Sequence, residues 1–376
     1  VTVAVIGGGP AGLATAIELR AAGVPVTVVA GRRADRKRLV ETLPADARPL
    51  LRRLGVWEEF QRAGHPPSLG VSSAWASAEL VRSDAFTAPL GGGWLIDRDR
   101  FDAALLDAAR SAGAEVIDRA RVSAVRPGWS LTVPTGPFTG RDLTATFVVD
   151  ATGRTGLLAR RYGAPRAADR LMCAYAVLPA APVSRRPVLE SAPDGWWYAA
   201  GFDETRAVAG FFTDSDLMRQ ASATRPPAWH DLLNRTRHVF GLLGRPGTPA
   251  SVRTVPAASH CLTRLYGEGW AAVGDAATAL DPLSSAGVIA ALRSGVDTAA
   301  GVRAALGGDY GALAAHQRRA HVRYTTYLLD RCGYYGMEPR WPDAPFWRRR
   351  VIAGRPSSRR SGVLDDVRGH EAHRQC

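Results

Sequence analysis

Four short phrases of the 376-residue chain combine residue types and spacings suited to binding chemistry. Gly7-Gly8-Gly9-Pro10-Ala11-Gly12 is a G-x-G-x-x-G turn that directly follows the apolar run Thr2–Ile6. Gly7 permits a tight turn, Gly9 lets a diphosphate approach the backbone, and Gly12 lets a helix pack close to the strand. The helix start at Pro10 and Ala11 offers N–H groups to phosphate oxygens. Asp150-Ala151-Thr152-Gly153-Arg154 ends another buried run. Gly274-Asp275 ends a third, and Asp281-Pro282-Leu283-Ser284-Ser285-Ala286-Gly287-Val288 leads from it into a helix. The fourth phrase is Trp94-Leu95-Ile96-Asp97-Arg98.

These phrases point to a dinucleotide. The expected helix over Leu13–Ala22 and a second strand over Val24–Val29 complete a β-α-β unit around the glycine turn, which a chance glycine cluster would lack. A ribose-binding carboxylate normally ends that second strand. Here Val28-Val29 runs into Ala30-Gly31-Arg32-Arg33, so Arg32 and Arg33 become candidates for phosphate contacts. The missing carboxylate weakens a reading as an NAD site more than one as an FAD site, because FAD is held at many points. Asp275 is placed to accept from a ribitol hydroxyl. The amides of Ser285 to Val288, at a positive helix end, suit the electron-rich edge of a reduced flavin.

The elements that must carry these residues predict an α/β protein. It has a Rossmann-type FAD-binding domain, an inserted antiparallel-sheet substrate domain and a helical C-terminal region. The FAD-binding parts are expected at 1–65, 94–170 and 256–300. Substrate-domain loops and edge strands are expected at 66–93, the substrate sheet at 171–255, helices at 301–350 and a basic tail at 351–376. Residues 33–60 read as helical, broken at Pro44 and Pro49. Phe101–Ala112 reads as an amphipathic helix, and residues 122–147 alternate like hairpins.

With 46% apolar and 22% charged residues the chain is globular rather than disordered. The net charge is +13, nearly all of it from arginine, with Lys37 the only lysine. No zinc-finger spacing or interleaved aromatic-basic motif accompanies that charge, which excludes a nucleic-acid reader. The crowd of Arg348, Arg349, Arg350, Arg355, Arg359 and Arg360 leaves two readings open, a solvated tail or a docking surface for an acidic partner polypeptide. Four scattered cysteines argue against a disulfide scaffold or metal centre and for a cytoplasmic protein. No run reaches the roughly 18 apolar residues of a membrane span.

The four phrases, in this order over residues 1 to about 300, resemble the FAD-dependent monooxygenases of the para-hydroxybenzoate-hydroxylase fold. That resemblance implies cofactor contacts at Gly7, Gly9, Pro10, Ala11, Gly12, Arg98, Val122, Asp150, Gly153, Arg154, Gly274, Asp275, Pro282, Ala286, Gly287 and Val288. It also implies NAD(P)H or a separate flavin reductase as electron donor. Glu41-Thr42-Leu43-Pro44, Ser73-Ala74-Trp75, Asp281-Pro282-Leu283 and Arg340-Trp341-Pro342 are similar to the tryptophan-halogenase-like branch. Halogenases of that branch carry a lysine near the Ser73 region and a glutamate and threonine where this chain has Ser284 and Ala286, so halogenation is disfavoured. Asp281-Pro282-Leu283-Ser284-Ser285 and Gly195-Trp196-Trp197-Tyr198 are instead similar to flavoproteins that hydroxylate a tryptophan of a partner polypeptide during quinone-cofactor maturation.

The resemblance then implies oxygen delivery from a flavin C4a-hydroperoxide to an electron-rich ring, indole above all. The substrate is a small molecule or a tryptophan in a polypeptide, and the enzyme is a monomer or homodimer. Trp75, Trp197, Ser284 and Ser285 are the candidate catalytic residues. Of Trp196, Trp197 and Tyr198, strand alternation lets at most two line one pocket. None of the eight histidines falls in a motif. Two other classes share parts of the pattern: a flavin-dependent reductase of the geranylgeranyl-reductase type, and a binding module without turnover.

Overall fold

The β-branched run Val3–Ile6 is buried along its whole length, as a central parallel strand requires. In the computed structural model it pairs in parallel with Val26–Val29 on one side and Phe147–Asp150 on the other. Glu115–Ile117 and Trp270–Ala272 extend the sheet outward, and Tyr266–Gly267 closes one edge antiparallel. The structure describes residues 2–31, 40–84, 92–126, 128–134, 142–179, 186–201 and 205–352.

The helix Pro10–Ala21 lies against this sheet and against the long helix Gly287–Leu306. The two helices approach closely because Gly295 faces Ala11. A Cβ at Gly295 would fall 2.6 Å from Ala11 O and 2.7 Å from Ala14 Cβ. Thr15 Oγ1 donates to Ala11 O at 2.8 Å, so the hydroxyl is satisfied inside that seam.

The second sheet has seven strands, in the order Arg253–Pro256, Leu171–Pro179, Arg206–Asp214, Gly195–Gly201, Val188–Ala192, Gly70–Ala74, Val81–Asp84. Its one parallel step joins Val188–Ala192 to Gly70–Ala74, because the latter arrives from an earlier part of the chain. On one face Trp197, Phe211, Trp229 and Val239 form a core under the helices Pro226–Leu233 and His238–Leu242. Glu190 holds the second of these by accepting the N–H groups of Arg237, His238 and Val239. On the other face Trp196 and Phe212 meet Tyr335, Phe346 and Trp347 from the C-terminal helices.

Two expectations change. Of residues 33–60, expected to be helical, 33–39 lie outside the described residues and 40–44 are not helical. Glu41–Leu43 is a strand paired with Trp94–Ile96, followed by the short helices Arg48–Arg53 and Trp57–Arg62. Pro44 keeps Leu43 extended, so the pairing with residues 94–96 prevails over local helix propensity. The second change concerns the basic end. Arg349 and Arg350 are not free for a partner, because both bind Asp214, and Arg349 also binds Asp216. Arg355, Arg359 and Arg360 lie outside the described residues. No helix among the described residues is long and apolar enough to cross a membrane.

His65 is buried against Phe60 and Phe101. Its ring lies 4.6 Å from that of Phe60, and its Nδ1 accepts from the Asp97 N–H. Burial lowers its pKa, and burial likewise lowers that of His260. The unfolded chain therefore takes up protons first as pH falls below the ordinary histidine value of about 6.5. The stability carried by the two neutral rings is complete above that pH and erodes as pH drops toward the folded values. Urea melts of His65→Phe should depend less on pH between about 7 and 5 than those of the wild type; an unchanged slope would reject the assignment.

Candidate functional site

Between the two sheets lies a cavity of about 380 Å³. Gly9, Pro10 and Ala11 border it, with Glu41, Arg98, Gly153, Arg154 and Asp275. Pro282, Ser285, Gly287 and Val288 also line it, and Val71, Leu189, Trp196, Tyr198 and Phe212 form its apolar part.

The glycine turn is built for close approach. Gly7 has φ +123°, and a Cβ there would lie 2.1 Å from Ala151 O. At Gly12 a Cβ would lie 2.2 Å from Gly7 O and 2.8 Å from Ala151 Cβ, so the helix start sits hard against the strand end. Around Gly9 the space a Cβ would fill is open, and the residue borders the cavity. This is a cradle for a bulky anion at a helix N-terminus. Gly274, at φ +59°, lets the Asp275 turn close onto Ala11, whose Cβ would be 2.6 Å from an added methyl.

Arg98 is the main buried cation of the site. Its Nη1 donates to Glu41 Oε1 at 2.5 Å, and its Nε donates to Asp102 Oδ1 at 3.1 Å. Burial disfavours its charge, but the two carboxylates outweigh burial and raise its pKa. Arg154 donates to the carbonyls of Ala258 and Leu280, and its Nε lies 3.4 Å from Asp275 Oδ2. Burial pushes the Asp275 carboxyl upward, while Arg154 and Arg98 pull it back. Its side chain opens into the cavity, free to accept from a ligand hydroxyl.

The structure sorts the sequence candidates. Gly9, Pro10, Ala11, Arg98, Gly153, Arg154, Asp275, Pro282, Ser285, Gly287 and Val288 share the cavity, while Gly7, Gly12 and Gly274 shape its walls from behind. Asp150 does not face it. Its carboxylate is spent on Thr152 N–H and Oγ1–H and on the N–H groups of Leu158 and Ala159, which mould the turn presenting Gly153 and Arg154. Ser284 turns its hydroxyl to Asp281 O, and Ala286 caps the following helix; neither borders the cavity. Val122 packs against the Rossmann-type core away from it. Arg32 and Arg33 lie outside the described residues.

Two of the candidate catalytic residues, Trp75 and Trp197, do not border the cavity. Trp75 lies behind the cavity, with its Nε1–H donated to Tyr334 O and its ring against Trp196, Tyr335 and Trp347. Trp197 points to the opposite face of its strand, where it stacks on Phe211 at 5.0 Å. Trp196 and Tyr198 take the cavity side, two of three as alternation requires. Trp197→Ala is accordingly expected to cost about 3–5 kcal/mol of stability by opening a core cavity. Trp196→Ala, equally buried, should cost comparable stability and in addition alter the ligand site, and equal effects of the two on ligand binding would refute the division.

Sequence reasoning missed Glu41, Phe212 and Leu189 as site residues. Glu41 stood inside a quoted motif but had no assigned role. Only its strand pairing with residues 94–96 brings it to Arg98. Tyr198 Oη donates to Val40 O, next to Glu41, and so ties the seven-stranded sheet to that strand.

The glycine cradle, the Asp275 carboxylate and the helix start at Gly287, all bordering one cavity, fit FAD. Comparison with known proteins agrees. The family model described as FAD binding domain matches residues 1–322. The FAD-dependent oxidoreductase LodB of Marinomonas mediterranea is 28% identical over 355 residues, covering 92% of this chain and 95% of LodB. Among solved structures, the peptidyl tryptophan dihydroxylase QhpG, essential for tryptophylquinone cofactor biogenesis, is 28% identical with a TM-score of 0.79. The match covers 93% of this chain and 78% of QhpG. The flavin-dependent halogenase CmlS is 26% identical with a TM-score of 0.80, over 93% of this chain and 67% of CmlS. The protein thus belongs to the FAD-binding-domain family, within the halogenase-like branch of the FAD-dependent monooxygenases, and FAD is its cofactor.

Proposed function

We propose that this monooxygenase hydroxylates an electron-rich aromatic ring, an indole, in the form of a tryptophan side chain of a partner polypeptide. The observation that carries the reading is the cavity's composition: the aromatic and aliphatic residues Val71, Leu189, Trp196, Tyr198 and Phe212, with no lysine among the described residues that line it. A halogenase needs a lysine to carry or orient hypohalous acid. The only lysine of the chain is Lys37, which falls outside the described residues. Ser284 and Ala286 stand where the halogenases resembled carry glutamate and threonine. The similarity to QhpG supports a polypeptide substrate.

When bound, FAD supplies oxygen activation, with electrons from NAD(P)H or a separate flavin reductase. The chain's own residues do the rest. The Pro10–Ala21 helix start and Gly9 receive the diphosphate. Asp275, steadied by Arg154, accepts from the ribitol chain. The first turn of Gly287–Leu306, which borders the cavity, would offer its N–H groups to negative charge on a bound flavin. The apolar residues Val71, Leu189, Trp196, Tyr198 and Phe212 would exclude water and pack against the substrate ring. Indole carbon is nucleophilic without prior deprotonation, so no general base is assigned.

The test supplies reduced FAD, isotopically labelled O2, chloride and bromide to the enzyme with tryptophan-containing peptides and free indoles. Peptide gaining labelled oxygen on tryptophan is the expected product. Halogenated indole, or hydride transfer to an alkene without oxygen insertion, would overturn the reading. A preference for free indole over peptide would reject the polypeptide substrate alone.

A further inference from the structure

The helix Gly311–Gly336 carries Tyr327, Arg331 and Tyr335 at four-residue spacing, which puts them on one face. Arg331 is buried, pairs with Asp169 and donates to Ser259 Oγ at 3.0 Å. Ser259 Oγ lies 2.7 Å from Tyr327 Oη, which accepts the Asp281 N–H at 2.7 Å. One turn further on, Tyr335 Oη accepts from Trp196 Nε1–H at 3.0 Å and donates to Asp281 Oδ2 at 2.8 Å. Asp281 Oδ1 accepts from the Leu283 N–H of its own turn at 3.0 Å.

Trp196 and Asp281 both border the cavity, yet they come from different parts of the fold. Trp196 belongs to the substrate sheet. Asp281 begins the loop that leads to Ser285, Gly287 and Val288. The Tyr335 hydroxyl links the two. We propose that Tyr335 is a positioning residue for the flavin site, its hydroxyl locking the aromatic wall and the cofactor loop into one unit.

Core packing alone would call only for the ring. Tyr335 is fully buried among Trp75, Phe346 and Trp347, with the Arg350 guanidinium 5.1 Å from its centre, and phenylalanine would fill that space equally well. The hydroxyl is what packing does not explain. Removing it leaves the indole N–H and a carboxylate oxygen without this partner in a buried site, and the charged group suffers more.

The proposal rests on FAD being the cofactor and is tested by titrating FAD into the apoprotein. The proteins compared are wild type, Tyr335→Phe, Trp196→Phe, the double variant and Trp347→Phe. Trp347 belongs to the same aromatic cluster but donates its indole N–H to Ala192 O, away from Asp281. Tyr335→Phe is expected to bind FAD about tenfold more weakly and to shift the visible spectrum of bound flavin. The double variant should bind no worse than Tyr335→Phe, because both changes break one linkage. Trp347→Phe should lower the melting temperature of the apoprotein yet keep the FAD affinity.

Wild-type affinity and spectrum in Tyr335→Phe, strict additivity in the double variant, or an equal loss in Trp347→Phe would each overturn the proposal. Should Tyr335→Phe not fold, Trp196→Phe reads the same linkage, and an unchanged flavin spectrum there would overturn it. A wild-type protein that takes up no FAD would instead bring down the cofactor assignment itself.

Discussion

Gly12→Val is expected to give a colourless protein. The first added carbon would lie 2.2 Å from Gly7 O, 2.8 Å from Ala151 Cβ and 3.2 Å from Val5 Cγ1, and two of these neighbours cannot swing aside. The start of the helix Pro10–Ala21 must then lift off the strand, carrying away the amides that receive the diphosphate. Overpacking of this kind costs about 1–3 kcal/mol for a single inserted group. If about 3 kcal/mol of it falls on the cofactor-binding geometry, affinity drops on the order of a hundredfold. Gly9→Ala is the informative companion. Its Cβ would meet nothing within 4 Å of the protein, so apoprotein stability should stand while FAD binding weakens. Flavin titration with thermal melts of both apoproteins separates the effects. Wild-type flavin affinity in Gly12→Val would remove the glycine turn from the site.

Arg98→Met is the second large effect. It removes the cation that two carboxylates share, Asp102 with a side chain 5% exposed and Glu41 with one 35% exposed. Breaking a buried pair by deleting one partner costs about 3–5 kcal/mol, and solvent around Glu41 holds this case toward the lower figure. Both stability and FAD affinity should fall. Adding Asp102→Leu should restore much of the stability, because the more deeply buried charge is then gone too. It should not restore FAD binding if Arg98 touches the cofactor. Recovery of both together would reduce Arg98 to a structural ion pair.

The two variants differ in how far they could be foreseen. Gly12 was legible because a strand-turn-helix is written within a few consecutive residues. The glycine positions, the helix start at Pro10 and the strand before them are set by local sterics. The same holds for Gly274-Asp275 and for the helix that follows the Asp281–Val288 phrase, which the structure starts at Gly287. Arg98 was placed near the cofactor only by resemblance. Its two carboxylate partners, one of them 57 residues distant, emerge from strand pairing that residues 40–43 do not announce locally.

Misplaced residues follow the same division. Asp150 ends a strand beside the glycine turn, and its position invites a cofactor role. Its carboxylate is nevertheless taken by amides up to nine residues on, a loop geometry that spacing does not encode. Trp196 and Trp197 are chemically identical neighbours. Alternation requires that they part, but which one meets the cavity depends on the face covered by the helices Pro226–Leu233 and His238–Leu242.

By itself, then, the amino-acid order determined a dinucleotide fold, its phosphate turn and the strand ends that approach the cofactor, because these rest on backbone geometry over a handful of residues. Only the tertiary structure decided which tryptophan lines the cavity, that Glu41 braces Arg98 and that Tyr335 bridges Trp196 to Asp281. Those contacts join residues 54 to 139 positions apart, and they arise when buried polar groups must find partners inside a packed interior.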